Sequence, residues 1–180
     1  VYFVRLENRK ELTGKDISAI GEKLLDYAIR HLYGLTIEDC QKSRAEHGKP
    51  CFLLHPEIEF NLSHSGDYVI LAVSGIPVGI DIQEIMGSDI GKLAGKILSP
   101  QEFQEFLQSE DKQSYFFRKW VLKESYVKWT GEGLTRSLQQ LPMDGWPAMI
   151  EIDKEYMCAI RADAPLDIRM EEVLWQQIRK

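Results

Sequence analysis

Between residues 16 and 33 the apolar residues Ile17, Ile20, Leu24, Ala28 and Leu32 recur every three or four positions, and Gly34 follows as a stop. That spacing predicts an amphipathic helix. From 58 to 85 the pattern changes to short β-rich runs, with strands expected at 68–74 and 78–82 on either side of a Gly75-Ile76-Pro77 turn. Ser99-Pro100-Gln101-Glu102 has the form of a capping box with proline at the first helical position, so a helix should run from Pro100 to about Leu107. A second helix should follow through Phe116, Phe117, Trp120, Glu124, Val127 and Lys128, ended by Gly131 and Gly133. The remaining runs, 149–152, 156–161 and 168–175, read as a three-stranded meander with turns at Asp153-Lys154 and Ala164-Pro165. Helix followed by strands thus occurs twice. The expected fold class is α+β, with two similar halves, 1–83 and 84–180, meeting near residues 83–98.

With 180 residues the chain can bury a core without covalent staples. Its three cysteines, Cys40, Cys51 and Cys158, are odd in number and form no Cys-x-x-Cys, which fits a reducing compartment, so a cytoplasmic location is expected. No apolar run is long enough to span a bilayer, and the first residues lack the pattern of a signal peptide. A net charge of −6 argues against nonspecific nucleic-acid binding, which depends on lysines and arginines releasing counterions. Cys40, His47, Cys51 and His55 imitate zinc-ligand spacing, but Gly48 and Pro50 prevent the helix that would align them.

Four segments carry residues suited to chemistry. In Gly79-Ile80-Asp81-Ile82-Gln83-Glu84 the strand period of two sends Asp81 and Gln83 to one face and Ile80 and Ile82 to the other. An acid so placed is a hard-metal ligand or an ordinary solvated strand-end residue. Trp120, Glu124 and Lys128, four apart, share one helix face, as a site or as a surface ion pair beside an aromatic. Asn61-Leu62-Ser63-His64-Ser65-Gly66 offers hydroxyls, an imidazole and backbone N–H groups suited to phosphate oxygens. His47-Gly48-Lys49-Pro50 could hold a lysine against a phosphate.

Taken in order, Gly48-Lys49-Pro50, Phe60-Asn61-Leu62-Ser63-His64-Ser65, Gly79-Ile80-Asp81-Ile82 and Trp120-x-x-Lys123-Glu124-Ser125-Tyr126-x-Lys128-x-x-Gly131-x-Gly133-Leu134 resemble the surfactin-synthetase-type 4′-phosphopantetheinyl transferases. The resemblance covers residues 16–134 and is faint in the C-terminal meander. It implies two α+β halves related by a pseudo-twofold axis, with coenzyme A as substrate in the cleft between them. It further implies that Asp81, Gln83 and Glu124 hold Mg²⁺, with Gln83 standing where the family usually has an acid. Glu124 would act as base toward a carrier serine and Lys128 would stabilise phosphate charge, so Asp81, Glu124 and Lys128 form the catalytic set. Ser63, His64 and Lys128 would contact coenzyme A phosphates, and His47, Gly48, Lys49 and Pro50 would line the adenine end.

The implied partners are coenzyme A and an acyl or peptidyl carrier protein, with neither nucleic acid nor membrane, and the chain is expected to act as a monomer. Lys92, Lys96, Lys112, Arg118, Lys119 and Lys123 gather positive charge around the second half's helices and are expected to dock the carrier. Two other readings stand beside this one. One is a coenzyme A or carrier-binding module of the same fold that has lost catalysis at Gln83; the other is a small structural α+β domain.

Overall fold

In the computed structural model, which describes residues 1–7, 9–86, 89–133 and 137–179, Thr13 starts the first long helix. Its hydroxyl accepts from the Asp16 N–H while the Asp16 carboxylate accepts from the Thr13 N–H, a reciprocal capping box, and Gly34 ends the helix in the left-handed region at φ 69°. This is α1, Gly14–Tyr33. Before it lies β1 (Tyr2–Arg5), and after it come α2 (Ile37–Cys40) and the hairpin β2 (Lys42–Arg44) with β3 (Pro50–Phe52). Three longer strands follow: β4 (Glu59–Ser65), β5 (Tyr68–Ser74) and β6 (Val78–Glu84).

The middle of the chain is helical. It comprises α3 (Ile90–Ile97), α4 (Pro100–Gln108) and α5 (Lys112–Thr130). Ser99 and Glu102 form the expected capping box on α4, and Gly131 ends α5 at φ 70°. The chain finishes with β7 (Trp146–Ile150), β8 (Tyr156–Ala162), β9 (Glu171–Glu172) and α6 (Trp175–Ile178). No helix is long and apolar enough to cross a membrane among the described residues.

The strands form two main sheets, β4-β5-β1-β9 and β6-β8-β7. The expected three-stranded meander does not form. Strands β7 and β8 pair as expected, but the other edge of β8 is taken by β6, in the register Ile80 to Ile160. With no free edge left on β8, the third segment contributes only Glu171 and Glu172, which pair in parallel with Tyr2 and Phe3 of the first sheet. A segment late in the chain therefore completes the first sheet, and β6, which follows β5 in sequence, pairs into the second.

Strand β5 explains how the core is divided. Its unbroken apolar run is buried on both faces. Val69 and Leu71 face a cluster with Leu24, Leu25, Ala28 and Ile29 of α1, whereas Ile70 and Ala72 face Val78, Ile80 and Ile82 of β6 and Ile160 of β8. Each fully buried Leu or Ile contributes about 2 kcal/mol by leaving water. A third cluster, including Ala94, Leu98, Phe106, Phe116 and Phe117, seats α3 and α4 against α5. Helix α5 packs directly on β6 at Gly79, where a Cβ would lie 2.7 Å from Trp129 Cα and overlap neighbouring backbone. Only glycine permits that contact.

Candidate active site

Strands β4 and β6 are the facing edges of the two sheets, and no backbone ladder joins them. Three side chains do so instead. Alternate residues of β4 point across the seam: Asn61 Oδ1 accepts from the Ile80 N–H at 2.9 Å, Ser63 Oγ from Ile82 at 3.4 Å, and Ser65 Oγ from Glu84 at 3.0 Å. The odd-numbered residues of β6 then present their side chains beside this ladder. Ser63 Oγ donates to Asp81 Oδ1 at 2.8 Å, and Ser65 Oγ reaches Gln83 Oε1 at 3.4 Å.

Asp81 is the centre of the arrangement. It is 2% exposed. Lys128, from the last turn of α5, sends its ammonium to Asp81 Oδ1 at 2.7 Å and to Ser63 Oγ at 2.8 Å. Asp81 Oδ2, by contrast, is buried with no hydrogen-bond donor among the described residues. A carboxylate oxygen taken from water and left bare costs several kcal/mol unless something else meets it.

Glu124 stands one helical turn before Lys128. Burial pushes its carboxyl above the usual range, the charge of Asp81 adds to the rise, and Lys128 partly offsets it. Lys128 turns to Asp81 and Ser63, across the seam, rather than forming the surface pair with Glu124 that was the alternative reading of this helix face. Trp120 packs edge-on against Phe116, with ring centroids 5.4 Å apart, and serves the third core cluster.

Asp81, Gln83 and Glu124 offer oxygen donors only, which is the donor chemistry of a hard divalent cation. The bare buried oxygen of Asp81 and the like-charge strain on Glu124 are both relieved by a cation, so these residues fit one.

His64 is exposed beside this group. Its imidazole is held below its usual value, first by desolvation, then by the positive charges of Lys128 and Arg9. Arg9 was not singled out by the sequence pattern. Its guanidinium is pinned by the carbonyls of Gly66 and Leu12, each at 3.1 Å, and has no acid partner among the described residues. Nothing in the local Arg9-Lys10 sequence marks it, because the contact depends on the turn at Gly66, 57 residues away. Arg9 and Lys128, with the imidazole of His64 as a hydrogen-bonding group beside them, make a rim suited to phosphate.

The remaining expected residues are spread out. His47 is exposed on the β2–β3 turn, Gly48 adopts φ 87°, and Pro50 opens β3. Lys49 extends away from solvent to the Trp129 carbonyl at 3.1 Å, with Glu59 at 3.5 Å. Lys123 is corrected as a docking residue: it is 2% exposed, donates to the Leu138 carbonyl at 2.8 Å and pairs with Glu102 at 2.9 Å. Lys119 also pairs with Glu102, which leaves the expected basic patch partly neutralised. Of the motif glycines, Gly131 and Gly133 have positive φ, and Leu134 lies outside the described residues.

Two family models divide the chain at the turn before β6. The model described as 4′-phosphopantetheinyl transferase, N-terminal, matches residues 10–75, and that of the 4′-phosphopantetheinyl transferase superfamily matches 77–164. The 4′-phosphopantetheinyl transferase psf-1 of Bacillus pumilus is 36% identical, over 79% of this chain and 63% of its own length. The transferases ffp of Bacillus subtilis and Sfp of Bacillus subtilis strain 168 are 33% and 34% identical, each over 84% of this chain and 77% of their own. The chain belongs to the 4′-phosphopantetheinyl transferase superfamily, surfactin-synthetase-activating type. It spans under two thirds of psf-1 and about three quarters of the other two transferases. Where the resemblance implies an acid, the chain carries the neutral amide of Gln83.

Proposed function

We propose that this chain transfers the 4′-phosphopantetheine group of coenzyme A to a serine of an apo acyl or peptidyl carrier protein, releasing 3′,5′-ADP. The observation that carries the proposal is the seam itself. One Asp81 oxygen is bound by Ser63 and Lys128 and the other is buried and bare, beside a Glu124 whose proton affinity is raised. Asp81, Gln83 and Glu124 would hold Mg²⁺, which when bound would neutralise phosphoryl oxygens and favour in-line displacement.

The chain's own groups supply the rest. The serine oxygen forms a bond to the β-phosphorus of coenzyme A, the bond from that phosphorus to the bridging oxygen breaks, and 3′,5′-ADP leaves. Glu124 takes the serine proton, directly or through a water, for which a raised carboxyl is better matched than an ordinary one. Lys128 and Ser63 hold phosphate oxygens, with His64 and Arg9 as the rim. His47, Gly48 and Pro50 line the adenine end. The two halves act as one monomeric unit, with the change of sheet at residues 75–77.

Incubation with coenzyme A, Mg²⁺ and a panel of apo-carriers, followed by intact mass of each carrier, tests the proposal. A gain of one phosphopantetheinyl group is expected on at least one carrier. Gln83 favours a second reading, a binding module without catalysis. Transfer by Gln83→Glu alone, with none by the natural chain at any Mg²⁺ concentration, would decide for it.

A further inference from the structure

The lysine of Gly48-Lys49-Pro50 was expected to serve coenzyme A, yet its ammonium is directed into the protein. Its side chain is 14% exposed. Nζ donates to the carbonyl of Trp129, the next-to-last residue of α5, where the final carbonyls of a helix lack intrahelical partners and favour a cation. Glu59, the first residue of β4, lies 3.5 Å from the same ammonium. The lysine stem rests on Gly131, where a Cβ would come within 3.0 Å of Lys49 Cδ. A phosphate brought to this ammonium would have to approach the Glu59 carboxylate, 3.5 Å away, at a side chain that is largely covered.

The two elements joined here are those that meet at Asp81. Strand β4 carries Ser63, four residues beyond Glu59, and α5 carries Lys128, the residue before Trp129. Both Ser63 and Lys128 bind Asp81 Oδ1. We infer that Lys49 is a positioning residue: a strut between β4 and the C-terminal turn of α5 that sets Lys128 and Glu124 against Asp81, and not a ligand of the coenzyme's phosphates. The inference rests on the transferase reading for its kinetic consequence only, because the strut itself is a contact within the chain.

The test compares Lys49→Met, which keeps the stem and removes the charge, and Lys49→Arg with the natural chain. Three quantities are measured: amide hydrogen exchange over residues 128–131, the single-turnover rate of transfer, and the affinity for 3′,5′-ADP. In Lys49→Met exchange should quicken about tenfold and the chemical step should slow about tenfold, with 3′,5′-ADP affinity changed less than twofold. Lys49→Arg, which can still reach the carbonyl, should recover most of both losses. Unchanged exchange, or a tenfold loss of 3′,5′-ADP affinity with the chemical rate intact, would overturn the strut. A natural chain inactive toward every carrier would defeat the transferase reading alone, and exchange in Lys49→Met would still decide whether the strut exists.

Discussion

Glu124 concentrates the electrostatic tension of the site. Its carboxyl is raised chiefly by burial and then by Asp81, so the fold prefers it protonated. A raised acid contributes stability that is fully present below its unfolded value, about 4.3, and is lost as pH rises through the folded value. Glu124→Gln is neutral at every pH and should therefore match the natural chain near pH 4 and exceed it at pH 8, with metal and coenzyme absent. Urea midpoints at the two pH values measure this, and a variant less stable at pH 8 would contradict it. The same substitution should cut turnover by at least about 10²-fold, because it removes a proton acceptor. Greater stability with lost turnover is the mark of a strained functional residue. Lys128 is the counterpart, since its ammonium already occupies Asp81 Oδ1. Lys49 shows what a motif cannot tell: a lysine beside glycine and proline is equally compatible with a phosphate and with a helix end 80 residues away.

At the scale of elements, the sequence was most informative where local chemistry governs. Helices α1 and α4 begin at their capping boxes, and α1 and α5 stop at glycines with positive φ. Strands β5 and β6 were legible from their β-rich runs, with Gly75 and Pro77 between them. Strand β1, four residues long, was not, because so short a strand exists only through its partners. The third meander strand failed for a related reason: pairing is decided by which edge is open, and β6 had closed that of β8. At the site, Asp81, Glu124 and Lys128 could be named from sequence, but the bare Asp81 oxygen and the approach of Arg9 required the fold. Gly79 gives an element-scale prediction. A methyl group there meets backbone of α5 that cannot rotate away, so Gly79→Ala should cost about 3 kcal/mol in urea unfolding. A loss below about 1 kcal/mol would mean that α5 can shift off β6.

The whole molecule depends on how two sheets with separate partners are held at one seam. The chain crosses it more than once: β6 leaves the first sheet's side to pair with β8, and β9 and α6 return to pack on β1 and α1, bringing Val173 and Ile178 into the first core. Neither sheet is therefore built from one continuous stretch of sequence. Between the facing edges, Asn61, Ser63 and Ser65 replace a backbone ladder, so a side chain's length separates β4 from β6 where Asp81 and Gln83 emerge. A direct backbone pairing would close that space. The end of the ladder at Asn61 should be its most costly point, since Asn61 is 7% and Ile80 0% exposed. Asn61→Leu keeps the volume but leaves the Ile80 N–H buried and unpaired, a loss of about 2 kcal/mol. Because Ser63 lies two residues along the same strand, turnover should fall more than coenzyme A affinity. Urea unfolding and steady-state kinetics on the one variant test both parts: a stability change under about 0.5 kcal/mol would show that the Ile80 amide finds another partner, and unchanged turnover would show that the seam holds its geometry without Asn61.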